Sequence, residues 1–173
     1  MKKMIIITGL IFGLISCTQT KYFVKTDAAL SKMDLDNTII NYIPITETEL
    51  ASSNILASTY SLLEARKYAK LSEYLETMQT DSPDYYLAKT LYHISKSEYQ
   101  EAAEFLGKVS ENSYDLLRQL LLIDVSYEIA RLNGSVNYKR FLQDYQSLID
   151  KHSDNERLRK IVSVRIRYIR YNY

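Results

Sequence analysis

The chain has 173 residues with 22 basic and 21 acidic side chains, and its net charge of +1 gives no global field to attract nucleic acid. Its 4 glycines and 2 prolines are too few for the turns of a β-sandwich or a Rossmann-like fold, whereas helix-favouring residues dominate. Its one cysteine cannot form an internal disulfide, so stability must come from packing.

The first residues have the pattern of a secretory signal peptide. Lys2 and Lys3 precede an apolar segment, residues 4–14, which is too short to span a bilayer as a stable helix. The stretch Leu14-Ile15-Ser16-Cys17 at the end of this segment resembles the lipobox of bacterial lipoproteins. The resemblance implies that residues 1–16 are removed and that Cys17 carries a covalent lipid, with no other cofactor expected.

The segment after the cysteine bears on location. Thr18 and Gln19 stand where many bacterial lipoproteins retained in the inner membrane carry aspartate, so the resemblance implies the outer membrane, facing the periplasm or displayed on the surface. Residues 17–45 are polar and poorly periodic, which predicts a lipidated flexible tether. Such a chain spans some tens of ångströms (roughly 5–6 Å times the square root of its residue number).

Helix start and stop signals are frequent from residue 46 onward. They are the capping box Thr46/Glu49, Ser82-Pro83, Ser113, Asn133-Gly134 and the capping box Ser153/Glu156. Together with the apolar periodicity they predict seven helices, at 47–65, 67–79, 83–96, 98–110, 114–132, 137–151 and 154–171.

Three of these helices share an apolar stripe that begins at a tyrosine. Apolar residues follow Tyr68, Tyr99 and Tyr138 at offsets of 3, 7 and 10 residues, which is one face of a helix. The tyrosines lie 31 and 39 residues apart, and an apolar helix precedes each stripe. Helix pairs at such spacing predict an α-solenoid, with an irregular helical bundle as the alternative.

The second pair, residues 84–109, resembles a tetratricopeptide repeat (TPR). It carries an early aromatic residue in its first helix, and Tyr99-x-x-Ala102 opens its second helix. The resemblance implies an all-α fold, a short TPR-like α-solenoid of antiparallel helix pairs with a C-terminal capping helix, in one domain over residues 46–173. The consensus glycines are absent, and the third pair is longer than a TPR.

The last segment, residues 156–173, contains six basic residues and one acidic residue. Its apolar residues fit one helical stripe, but the alternation of apolar and polar residues from Val162 to Tyr168 also fits a strand. Because every preceding element is helical, we expect a helix. Arg165, Arg167 and Arg170 form a basic tail, which either contacts anionic lipid headgroups or an acidic partner or is simply a solvated face.

No catalytic motif accompanies these helices. Phosphate-binding loops, nucleophile elbows and metalloprotease motifs are absent, and His93 and His152 lack ligands at metal-binding spacing. We therefore expect a binding protein, not an enzyme, with no metal and no nucleic-acid partner. The first helices of the pairs line the concave face of a solenoid, where a partner would bind. The candidate contact residues are therefore taken from these helices: Tyr60, Tyr86, Lys89, His93 and Arg118.

The sequence thus predicts a lipid-anchored scaffold or adaptor of the bacterial cell envelope that binds a protein or peptide through TPR-like repeats. Lipoproteins of the outer-membrane β-barrel assembly machinery, of the BamD type, also join a lipidated cysteine to such repeats, and this similarity implies a role in outer-membrane protein assembly. Two alternatives remain open: a surface-exposed lipoprotein that binds a host ligand, and a lipid- or cell-wall-binding module that uses the basic C-terminal helix.

Overall fold

A computed structural model of the protein describes residues 53–78, 80–110 and 113–172. These residues form seven α-helices and no strand: α1 Asn54–Glu64, α2 Tyr68–Thr77, α3 Pro83–Ser95, α4 Tyr99–Lys108, α5 Asp115–Leu132, α6 Tyr138–Lys151 and α7 Glu156–Asn172. The predicted all-α class is confirmed. The predicted signal peptide, the lipidation site and the tether lie outside the described residues.

The first described helix does not continue from residue 47 and the last helix is not capped by Ser153, while the predicted capping box Thr46/Glu49 lies outside the described residues. Ser53 has extended backbone dihedrals, and its hydroxyl accepts a hydrogen bond from the Leu56 amide at 3.3 Å, so α1 begins after Ser53 instead of running from residue 47. Helix α7 is capped by Asn155, whose side-chain oxygen accepts from the Leu158 amide at 2.9 Å, and not by Ser153. In both places a capping side chain closer to the apolar run satisfies the free amides of the first turn.

The turns inside the three helix pairs share one backbone motif. Arg66, Ser97 and Gly134 each adopt a left-handed conformation, with φ of 54°, 59° and 63°. The next amide in each turn reaches back five residues, in the bonds Lys67 N to Leu62 O, Glu98 N to His93 O and Ser135 N to Ala130 O, at 2.8, 2.9 and 2.9 Å. This is the Schellman pattern of helix C-termini, and its recurrence in all three pairs supports the repeat.

The predicted stripes supply most of the core residues that come from the second helix of each pair. Eight of the nine apolar residues at offsets 3, 7 and 10 are at most 5% exposed: Leu71, Leu75, Ala102, Leu106, Val109, Phe141, Tyr145 and Leu148. The exception is Met78, which is 38% exposed at the end of α2. Met78 is the C-cap residue of α2, which ends at Thr77.

Each helix packs against the next one in the chain, and α1 also packs against α3. Helix α7 packs on α6 through a face that includes Leu158, Val162 and Ile169, all at most 1% exposed. It also contacts α5, where the rings of Tyr168 and Tyr127 lie 6.1 Å apart. The C-terminal segment is therefore helical, as expected, and the strand alternative is wrong.

Candidate partner-binding site

The two opposite sides of helix α3 carry different kinds of side chain. Its core side carries buried Leu87, Ala88, Leu91 and Ile94, while the other side carries aromatic and basic residues. Tyr85, Lys89, Tyr92 and Lys96 follow one another at intervals of four, three and four residues, which places them in one stripe along this side. With neighbouring residues of α3 and α4 they form a surface that we call the aromatic–lysine ridge: Tyr85, Tyr86, Lys89, Tyr92, His93, Lys96, Phe105 and Lys108.

Lys89 lies in the middle of the aromatic–lysine ridge. Its ammonium nitrogen is 5.9 Å from the ring centroid of Tyr85 and 6.0 Å from those of Tyr92 and Phe105, distances at which a cation is attracted to the face of a ring. The ion pairs among the described residues do not include Lys89. The half-buried lysine thus lies among aromatic rings, and none of the carboxylates that the structure describes neutralises its charge.

Phe105 joins the two helices of the pair. The imidazole of His93 stacks on it with centroids 5.1 Å apart and planes 11° from parallel, and the Lys108 ammonium lies 5.2 Å from its centroid. The Lys108 ammonium is also 5.5 Å from the ring of Tyr86. Two lysines therefore flank one aromatic ring, from different helices.

Two carboxylates hold the ends of the aromatic–lysine ridge in place. Glu98 accepts from Lys96 at 2.6 Å and pairs with Nδ1 of His93 at 2.8 Å, and the hydrogen bond from Lys96 lowers the pKa of Glu98. At the other end, the Tyr86 hydroxyl donates to Asp81 at 2.6 Å, which raises the pKa of Tyr86. Each carboxylate thus forms a hydrogen bond with one side chain of the ridge, Glu98 with His93 and Asp81 with Tyr86.

Three of the five predicted contact residues lie together on the aromatic–lysine ridge. They are Tyr86, Lys89 and His93. His93 also has the packing role that the sequence suggests, since its side chain is only 16% exposed. Phe105 and Lys108 were not among the predicted contacts because they belong to α4, a second helix of its pair; their spacing of three residues indicates only that they share one face of α4.

Of the other two predicted contacts, Tyr60 is buried, whereas Arg118 is half-buried and bonded to the backbone. Tyr60 is 4% exposed in the core, since the inward face of α1 includes it, so it cannot reach a partner. Arg118 donates from Nε to the backbone oxygen of Val109 at 3.1 Å, which ties the start of α5 to the end of α4. The carbonyl of Val109 would otherwise lack a partner in the helix, so Arg118 acts as a side-chain cap.

The three arginines of the predicted basic tail differ in their exposure. Arg167 and Arg170 are exposed, but Arg165 is 5% exposed, and its Nε donates to both carboxylate oxygens of Asp124 at 2.8 Å. The Tyr145 hydroxyl donates to the same carboxylate. Arg165 therefore joins α7 to α5 inside the core, and its assignment to a ligand-binding tail is wrong because its partner lies in the core.

Neighbouring Glu128 is buried with only one of its oxygens engaged. Its Oε2 accepts from Arg131 at 2.7 Å, while Oε1 has no hydrogen-bond partner among the described residues. Burial raises the pKa of Glu128 despite the nearby guanidinium. Since the side chain is 1% exposed, it belongs to the core and not to a surface site.

No group of three or more His, Cys, Asp or Glu side chains suited to a metal ion occurs among residues 53–78, 80–110 and 113–172. In the same part of the chain, every helix is too short or too polar to cross a membrane. No protein-family model, curated protein or solved structure matches the chain at a significant level.

Proposed function

We propose that the protein is a lipid-anchored scaffold or adaptor of the bacterial cell envelope and that it binds a protein or peptide partner through the aromatic–lysine ridge. The observation that carries this proposal is the position of Lys89, held by three aromatic rings and paired with no carboxylate among the described residues. A lysine confined in this way lowers the entropic cost of binding a partner, because its side chain is already ordered.

The composition of the ridge suits recognition of a polypeptide. Tyrosine offers a large apolar ring and a polar hydroxyl with little rotamer freedom to lose, and such residues dominate the energetics of many interfaces. From Tyr85 to Lys96 the helix rises about 16 Å, at 1.5 Å per residue. That length matches roughly five residues of an extended peptide, which rise about 3.3 Å each.

The envelope location is supported by the sequence alone. The signal-peptide pattern and the lipobox at Cys17 support a lipid anchor, and the polar tether would let the helical pairs move within some tens of ångströms of that anchor. A scaffold at this position suits partners among envelope proteins, including those that assemble the outer membrane. Protease accessibility of intact cells separates a periplasmic from a surface-displayed protein.

The test compares two double variants of the full chain in its own cells. Lys89→Ala/Lys108→Ala removes both cations that flank Phe105, whereas Lys67→Ala/Lys70→Ala removes the same charge from exposed positions around the start of α2. After chemical cross-linking and purification, we expect the ridge variant to recover at least about tenfold less partner than the control variant. Equal recovery by the two variants would refute the proposed site.

A further inference from the structure

The outer face of α7 is strongly basic. Five basic side chains are exposed there: Arg157, Arg159, Lys160, Arg167 and Arg170. At 100° per residue they occupy about 160° of the helix circumference, opposite the buried face that contains Leu158, Val162 and Ile169. The only acidic residue of the helix is Glu156, which pairs with Lys160 at 2.9 Å, so the face carries a net charge of +4 from five basic residues and one acidic residue.

This face is held in one orientation by the core. Arg165 lies on the inner side of α7, where Asp124 of α5 accepts from it through both oxygens. The rings of Tyr168 and Tyr127 meet edge to face at the same interface. Rotation of α7 about its axis would break these contacts, so the five basic side chains stay on the side away from α5.

We propose that the outer face of α7 binds the surface of a bilayer that contains anionic phospholipids. This goes beyond partner binding by the aromatic–lysine ridge and does not depend on it. Arg157 and Arg170 are separated by about 20 Å along the helix, so the charges form a long row instead of converging on one ligand. Such a row complements the repeating phosphates of a bilayer surface.

The strength of this attraction follows from the number of charges. Each arginine or lysine close to an anionic bilayer strengthens binding by about fivefold, so removal of two weakens it about 30-fold. The attraction is screened by salt, since the Debye length falls from about 30 Å at 0.01 M to about 3 Å at 1 M ionic strength. Both effects are measurable by vesicle co-sedimentation.

The experiment uses the chain from residue 18 onward, which lacks the predicted signal peptide and lipidation site but keeps every described residue. Vesicles of phosphatidylglycerol mixed with phosphatidylcholine are compared with vesicles of phosphatidylcholine alone. Arg167→Gln/Arg170→Gln is compared with the matched control Lys67→Gln/Lys70→Gln, and far-ultraviolet circular dichroism verifies that both variants keep the helical fold. Arg165 is left unchanged because it is buried.

We expect salt-sensitive binding to the anionic vesicles only, weakened about 30-fold in Arg167→Gln/Arg170→Gln and nearly unchanged in the control variant. Equal weakening of both variants would mean that net charge alone is responsible, and the proposal would be wrong. Absence of binding, or equal binding to both kinds of vesicle, would also overturn it. Displacement by millimolar inorganic phosphate at constant ionic strength would assign the face to a free anion instead of a bilayer.

Discussion

Replacing Arg165 by methionine is expected to lower the free energy of unfolding by about 3–5 kcal/mol, because the substitution leaves Asp124 as a buried carboxylate without its guanidinium. Both side chains are 5% exposed, and Arg165 Nε is 2.8 Å from each oxygen of Asp124. The Tyr145 hydroxyl remains as a donor to that carboxylate, but it supplies no positive charge. For a domain of this size, the loss corresponds to a decrease in Tm of roughly 12–20 °C.

A compensating variant tests whether the loss comes from the unpaired charge. In Asp124→Leu/Tyr145→Phe/Arg165→Met, the carboxylate and both of its donors are replaced by apolar groups of similar size. Replacement of a buried ion pair in this way is often neutral. We therefore expect the triple variant to recover most of the stability lost in Arg165→Met, to within about 1–2 kcal/mol of the unmodified protein.

Urea unfolding followed by circular dichroism at 222 nm measures all three proteins under identical conditions. A loss smaller than about 1 kcal/mol in Arg165→Met would show that the ion pair is not formed in solution, since a buried uncompensated charge costs more than that. A triple variant that is less stable than Arg165→Met would show that the unpaired carboxylate of Asp124 does not cause the loss. Either result would refute the charge-pairing role assigned to Arg165.

Three further predictions concern local energetics, all measured by urea unfolding. Because burial raises the pKa of Glu128, the folded protein binds the proton of this carboxyl group more tightly than the unfolded chain does. The free energy of unfolding should therefore fall as pH rises from about 4.5 through the raised pKa, and Glu128→Gln should abolish this trend. Gly134→Ala should destabilise the protein by about 1 kcal/mol because φ is +63°, whereas Gly107→Ala, within α4, should stabilise it by about 0.5–1 kcal/mol. An added Cβ meets nothing within 4 Å at either glycine, so equal effects of the two substitutions would contradict an explanation by backbone conformation. Leu75→Ala should cost about 2–5 kcal/mol and Met78→Ala less than about 1 kcal/mol, although both belong to the same predicted stripe; similar costs would contradict the exposure of Met78.

The order and type of the helices could be predicted because their signals are local. Ser82 before Pro83 gives α3 its cap, with the Ser82 hydroxyl 3.2 Å from the Tyr85 amide, and Asn133-Gly134 ends α5 as expected. The strand-like alternation near Arg165 competed with the helical stripe of α7. Packing of Leu158, Val162 and Ile169 against the other helices decided in favour of the helix.

The candidate site was only partly predictable. Tyr86, Lys89 and His93 were found from their position on a first helix, but Tyr60 occupies a comparable position and is buried. Periodicity shows that a helix has two faces, but it does not show which aromatic residues the neighbouring helices leave at the surface. The stack of Phe105 on His93 depends on how α4 turns back beside α3, and only the folded chain defines that.

The sequence by itself determined the helical class, the succession of helix pairs and the stripes that form the core, because caps, turns and apolar spacing act over a few residues. It also carries the prediction of a lipid anchor at Cys17. Only the tertiary structure decided that Arg165 belongs to the core and that Lys89 is surrounded by rings. These roles depend on partners brought together by packing, such as Asp124, 41 residues from Arg165 along the chain, and local spacing contains no record of such distant contacts.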